Sequence, residues 1–239
     1  MRIDVVVFDL DGTLVDHEGA VVRALHDWLP RIGVAPDAVP PLVSTWFATE
    51  ERYFASWRSG EISFAEQRRR RLRDVLPLIG RSVPDDAELD RIFEDFLHAY
   101  ERGWRAFDDA MPCLDTLAAH GLRLAVLTNG TELQQTEKPR RTGLDGYVER
   151  VFTAEGLGIA KPRPEVYLRV GAALGVEPSH TLHVGDHPDL DVRAPREVGL
   201  QVLHLDRHDT HLESPRISTL RDLPRLLDGQ SKIAGTALN

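Results

Sequence analysis

Residues 3–13, IDVVVFDLDGT, restrict what this chain can fold into more than any other stretch. Residues 3–8 are rich in Val and Ile and hold no Gly or Pro, the pattern of a strand buried on both faces of a parallel sheet. Two carboxylates, Asp9 and Asp11, close the run, and Gly12 behind them lets the backbone turn sharply. An apolar strand ending in acids places charge at the carboxyl edge of the sheet, where open α/β sheets bind ligands. Two carboxylates that close repel each other unless a cation or a shared proton relieves them, and a hard divalent cation such as Mg²⁺ suits oxygen ligands. Asp-Gly is also a common surface turn, so the tetrapeptide alone leaves both readings open.

Beyond this strand, 239 residues suit one large domain or a domain with a smaller one inserted. A hydrophobic content of 42% is ample for a sizeable core. The formal charge of -9 argues against nucleic acid or an acidic membrane surface as partner. A single cysteine, Cys113, excludes an internal disulfide and suits a reducing cytosol. No apolar stretch approaches the ~18 residues of a membrane span. Asp4 and Asp9 interrupt the N-terminal apolar run, which is therefore no signal peptide. The expectation is a cytoplasmic monomer or homodimer.

Helical spacing recurs at residues 18–32, where Val21, Val22, Leu25, Trp28 and Leu29 share a face. Gly33 and the prolines from Pro36 to Pro41 break the chain, and the helical pattern resumes over 42–57. Ser63 followed by Glu66 reads as a capping box opening a helix to about Leu76; another starts at Asp85 or Asp86 and runs to about Trp104. Residues 17–105 thus form a helical block that carries most of the aromatics and should bury a core of its own. After Phe107 strands alternate with helices: helix 112–120, strand 122–128, helix 132–142 with Pro139 awkwardly inside it, and strand 151–153. Helix 164–174, strand 181–184, helix 190–198 and strand 200–205 complete the series. This order predicts an α/β fold, a doubly wound parallel sheet with right-handed crossovers, built from 1–16 and 106–228 with the helical block inserted. Residues 229–239 lack a pattern and are expected to form a flexible tail.

Three further strand ends carry polar chemistry. Thr128, Asn129 and Gly130 offer a hydroxyl, an amide and a flexible backbone that can cradle phosphate oxygens, although Thr-Asn-Gly is also a turn. Ala160-Lys161-Pro162 could hold an ammonium over the sheet edge; a lone lysine is otherwise a surface residue. In residues 184–191, VGDHPDLD, Asp186 is placed to complete a Mg²⁺ site with Asp9, and Asp191 to hold a metal-bound water or orient Lys161. The alternative for Asp189 or Asp191 is helix capping. Acids, Thr, Lys and acids each fall just past a predicted strand, so one crevice would gather them all.

In these motifs the chain resembles the haloacid dehalogenase (HAD) superfamily: DLDGT at 9–13, LTNG at 127–130, AKP at 160–162 and HVGDHPDLD at 183–191. The helical block resembles the cap of its subfamily I, and WRSGEISFAEQRRRR with residues 133–144 looks most like the nucleotidase and sugar-phosphatase branch. The resemblance implies a Rossmann-like core and a Mg²⁺-dependent phosphatase acting on a small phosphate monoester, a nucleoside monophosphate or sugar phosphate. It implies Asp9 as nucleophile forming an aspartyl-phosphate, and Asp11 as acid, then base, with its carbonyl on the metal. Thr128, Asn129, Gly130 and Lys161 would hold the phosphoryl group, Asp186 would bind the metal directly, and Asp191 would stand behind it. The cap would close over the site and exclude bulk water. His187 replaces a common Ser, and Ala194 and Pro195 replace usual small residues. A dehalogenase, a phosphomutase and a non-enzymatic binding protein on the same scaffold are the alternatives; dehalogenases usually lack an acid at the position of Asp11.

Three features point elsewhere only weakly. Arg68 to Arg71 with Arg73 reads as a solvated helix face, the sharper alternative being one Arg that reaches a substrate acid. His204, His208 and His211 lack the spacing of a metal site. Cys113 reads as packing in its helix.

Overall fold

The computed structural model describes residues 2–210 and 215–228. Contacts divide the described chain into two compact units, His17–Trp104 and the segments that flank it.

The flanking unit is built on a six-stranded sheet in the order β3-β2-β1-β4-β5-β6. Its strands are β1 (Val5–Phe8), β2 (Arg123–Thr128), β3 (Arg150–Thr153), β4 (Thr181–Gly185), β5 (Gln201–Leu205) and β6 (Arg216–Ile217). Every neighbouring pair is parallel. The order reverses between β1 and β4, the topological switch point at whose carboxyl end such sheets bind ligands. Alternation along β1 explains its unbroken hydrophobicity. Val6 and Phe8 pack on one face with Cys113, Leu114 and Leu117 of α5 (Ala110–Ala119). Val5 and Val7 pack on the other face with Val166, Tyr167 and Val170 of α8 (Pro164–Leu174). A strand covered on both faces has no solvent side on which to place polar residues.

The remaining elements of this unit are α6 (Glu132–Thr142), the short α7 (Ala154–Leu157), a π-helical turn Pro188–Arg193 and α9 (Ala194–Glu197). The expected continuous helix over 190–198 is corrected here. Ala194 N–H donates to the Asp189 carbonyl, five residues back, and Pro195 has no N–H with which to restore the ordinary register. Pro139 does not break α6, which loses one backbone bond and runs on to Thr142. Two-residue β6 pairs His204 with Arg216 and was not expected, being too short to show a period.

The inserted unit comprises α1 (His17–Arg31), α2 (Val39–Arg58), α3 (Phe64–Val75) and α4 (Asp86–Arg102). α2 begins three residues earlier than expected, because Pro40 and Pro41 occupy its first turn, where missing N–H groups cost nothing. Ser63 and Asp85 cap α3 and α4 by accepting from Glu66 N–H and Glu88 N–H. Trp28, Trp46, Phe93 and Phe96 form an aromatic core that mixes edge-to-face, tilted and stacked pairs. The arginine run is not one solvated face. Arg69, Arg70 and Arg73 pair with Asp90, Glu66 and Asp86, whereas Arg71 is buried, bonds Glu50 at 2.6 Å and lies 4.4 Å over the Trp46 ring. His211 and the expected tail, 229–239, lie outside the described residues.

Candidate active site

Asp9 leaves the end of β1 with its N–H on the Val184 carbonyl at 2.8 Å, which ties it to the β4 edge. Lys161 Nζ donates to Asp9 Oδ1 at 2.6 Å and to Asp191 Oδ1 at 2.7 Å, and this lysine is only 1% exposed. Carboxylate oxygens of Asp9, Asp186 and Asp191 lie within 4.8 Å of one another. Asp191 is held further by His183 Nε2 at 3.0 Å and by the His187 N–H at 3.1 Å. Thr13 Oγ1 donates to Asp186 Oδ1 at 3.3 Å, and buried His204 Nε2 donates to the Asp186 carbonyl at 2.9 Å. Gly12, at φ +85°, is dictated by this crowding: a Cβ there would stand 2.3 Å from Asp186 Oδ2.

The electrostatics follow from burial. Burial pushes the Asp9 carboxyl well above its usual range, helped by the neighbouring Asp191 and Asp186 carboxylates and opposed by Lys161. Burial and Asp191 push Asp186 up to about 7. Burial would raise Asp191 too, but the Lys161 ammonium and the His183 bond outweigh it and hold this carboxyl well below the usual range. Burial would lower Lys161, and the Asp191 and Asp9 carboxylates overcome that and raise it. Three carboxylates around one ammonium leave a surplus of two negative charges when all are ionised. An all-oxygen donor set with that surplus fits a hard divalent cation.

The other expected residues divide. Thr128 is buried at the end of β2, its hydroxyl 3.5 Å from the Asn129 carbonyl. The Asn129 side chain turns to the Lys161 backbone, donating to its carbonyl at 3.0 Å and accepting its N–H at 2.9 Å. It therefore fixes the lysine loop. Asp11 is held by α6: Lys138 Nζ lies 2.6 and 2.7 Å from its two oxygens, and Gln135 Nε2 donates to Oδ2 at 2.9 Å.

Lys138, Gln135, His183 and Arg207 were not singled out from sequence. Arg207 follows β5, donates to the Thr13 carbonyl at 2.8 Å and grips Asp109 through two nitrogens at 2.9 and 3.0 Å. Asp109 also accepts from Thr219 Oγ1 at 2.7 Å and the Leu220 N–H at 3.0 Å. The one available signal was spacing: Gln135 and Lys138 are three apart and share a helix face. His187, the departure from the expected Ser, caps the π turn by accepting the Asp189 and Leu190 N–H groups.

Residues 3–199 match the haloacid dehalogenase-like hydrolase family, to which this chain belongs. Hexitol phosphatase A of Escherichia coli is 31% identical over 191 residues, covering 79% of this chain and 76% of that protein. The magnesium-bound HAD-hydrolase YfnB of Bacillus subtilis superposes with a TM-score of 0.81 at 22% identity, over 95% of this chain and 100% of that one. A 2-haloacid dehalogenase of Pseudomonas syringae gives a TM-score of 0.67 at 29% identity, over 96% and 100%. The chain spans between 48% and 65% of the length of the first curated relatives it matches. Among the described residues no helix is long and apolar enough to cross a membrane.

Proposed function

We propose that the chain is a Mg²⁺-dependent phosphatase that hydrolyses a small phosphate monoester, a sugar phosphate or nucleoside monophosphate, through an aspartyl-phosphate. Asp9 is the nucleophile: its carboxylate attacks phosphorus and the ester P–O bond breaks. Asp11 gives its proton to the leaving oxygen, then takes one from the water that attacks the aspartyl-phosphate, releasing inorganic phosphate and restoring Asp9. Lys161 offsets the charge of Asp9 and of the incoming phosphoryl group. The Thr128 hydroxyl and the backbone N–H groups of Asn129 and Gly130 receive phosphoryl oxygens, while the Asn129 side chain keeps Lys161 in place. Asp9, Asp186, Asp191 and the Asp11 carbonyl are the groups that would hold Mg²⁺, Asp191 from behind. Bound there, the ion would neutralise charge between an anionic nucleophile and an anionic substrate.

Asp11 carries this reading against its nearest rival. Cleavage of a carbon–halogen bond expels halide and needs no leaving-group acid, yet here a carboxyl stands two residues past the nucleophile and is fixed by two side chains. The name of the Escherichia coli relative supports the same class. The test is phosphate release from a panel of sugar phosphates and nucleoside monophosphates with Mg²⁺, run beside chloride release from 2-chloropropionate. Asp9→Asn should abolish phosphate release while circular dichroism stays unchanged. Turnover at the wild-type rate in that variant, or chloride release alone, refutes the assignment.

A further inference from the structure

Lys138 is a buried cation that the reaction above does not employ. It is 1% exposed, and its ammonium lies 2.6 and 2.7 Å from the two carboxylate oxygens of Asp11. One helical turn away, Gln135 bridges Asp11 Oδ2 at 2.9 Å and the Asn129 carbonyl at 2.8 Å. The backbone makes room for that amide: Gly130 sits at φ +142°, and a Cβ there would lie 2.8 Å from Gln135 Nε2. A substituted glycine would therefore displace Gln135, so Gly130 serves the Asp11 clasp as well as the phosphate loop. A carboxylate that is half-buried and gripped at both oxygens has its plane fixed, where a free Asp side chain would rotate.

We propose that Lys138, seconded by Gln135, is the positioning residue for proton transfer by Asp11, an inference that rests on the phosphatase reading. Neither residue touches phosphorus or exchanges the proton, which travels from Asp11 to the leaving oxygen and returns to Asp11 from water. Their part is to aim one carboxyl at both events. An acid whose aim is lost matters most for leaving groups that cannot depart as free anions. General acid catalysis contributes ~10²–10⁴-fold, so the loss should track leaving-group basicity.

The experiment compares kcat/KM for phenyl phosphate, whose leaving group needs a proton, with 4-nitrophenyl phosphate, whose leaving group departs without one. Phosphorylation of Asp9 governs this ratio for both. Lys138→Met should lose roughly 100-fold on phenyl phosphate and less than about tenfold on 4-nitrophenyl phosphate. With 4-nitrophenyl phosphate, acid-quenched aspartyl-phosphate should accumulate and KM should fall, because water activation is impaired while phosphorylation is largely spared. Lys138→Arg, which keeps a donor on Asp11, should recover most of the loss on phenyl phosphate. Equal losses on both substrates, or none, overturn the proposal and leave the phosphatase reading intact. A wild-type protein inert toward both substrates and every other phosphomonoester overturns both. If Lys138→Met does not fold, Gln135→Leu takes its place in the same comparison: a selective loss on phenyl phosphate supports the proposal, and equal losses or none overturn it.

Discussion

Replacing Lys161 by Met would separate structure from chemistry at this site. The ammonium is fully enclosed and has carboxylates at 2.6 and 2.7 Å, with Asp186 in the same cluster. Met matches its length and apolar stem but leaves those carboxylates without their cation. Removing one partner of a buried ion pair costs about 3–5 kcal/mol, because the remaining charge stays desolvated. Two partners are stranded here, which places the expectation in the upper half of that range, and protonation of Asp9, already pushed up by burial, caps it. At ~2–4 °C per kcal/mol for a chain of this size, the metal-free melting temperature should fall by roughly 8–20 °C.

Two controls identify the cause. Taking Lys161 away removes the group that opposes the rise of Asp9, so Asp9 titrates higher still. A group whose folded pKa is raised contributes stability that is complete below its unfolded pKa and lost as pH rises through the folded one. The gap between variant and wild type should therefore widen from acid toward neutral pH. Mg²⁺ should narrow it, by about 2.7 kcal/mol at a hundredfold excess over its dissociation constant. Calorimetric melts with EDTA and with Mg²⁺, across pH, supply all three numbers. A variant within ~0.5 kcal/mol of wild type at neutral pH without metal, the scatter of inert surface changes, would refute the role of Lys161 as the compensating charge.

Other outcomes follow from the same physics. Asp186, pushed up to about 7, should make the metal-free protein lose stability as pH rises through about 7, while Mg²⁺ stabilisation grows over the same interval; melts with and without EDTA measure both. Arg207→Met should cost about 3–5 kcal/mol by stranding buried Asp109, and a double-mutant cycle with Asp109→Asn should return a coupling of ~1–3 kcal/mol. Asp109 is partly desolvated, which would raise it, yet Arg207 and Thr219 hold it below the usual range, so its stabilising share is lost only as pH falls below ~4; acid titration of Arg207→Met should lack that component. The Cys113 thiol, pushed up to about 12 by burial and then by Asp109, should resist a thiol reagent at neutral pH and react fully after guanidinium unfolding.

Much of the site is legible in the sequence because strand ends are where a hydrophobic period stops, and a polar residue there is conspicuous. Asp9, Thr128 and Asp186 stand out in this way, whereas Lys161 follows the short α7 and is marked only by the Pro162 beside it. The helical insertion is legible from the spacing of Trp28, Trp46 and Phe96, although α2 begins early because prolines in a first turn look like a break. Residues acting from helix interiors are not legible. α6 reads ELQQTEKPRRT, and in such a polar run Lys138 is indistinguishable from solvated Arg140 and Arg141. Only folding shows that its face meets Asp11. Arg71 escapes for the same reason: a buried arginine amid three paired ones carries no periodic mark. The π turn is hidden too, since the effect of Pro195 on register depends on which carbonyl it abandons.

The two lysines divide the site's charge into separate groups. Lys161 answers Asp9 and Asp191 but leaves, with Asp186, a surplus that a divalent cation would complete. Lys138 instead lies against Asp11, its ammonium 2.6 and 2.7 Å from the two carboxyl oxygens. Were Asp11 to join the first group, a fourth carboxylate would raise the surplus further, and cation binding would compete with proton transfer for the same oxygens. On the phosphatase reading, the hold of α6 on Asp11 would keep its side-chain oxygens for proton transfer, while its backbone carbonyl stays two residues from Asp9 along the chain. On that reading the short loop 9–12 would have two roles, its second ammonium supplied from helix α6.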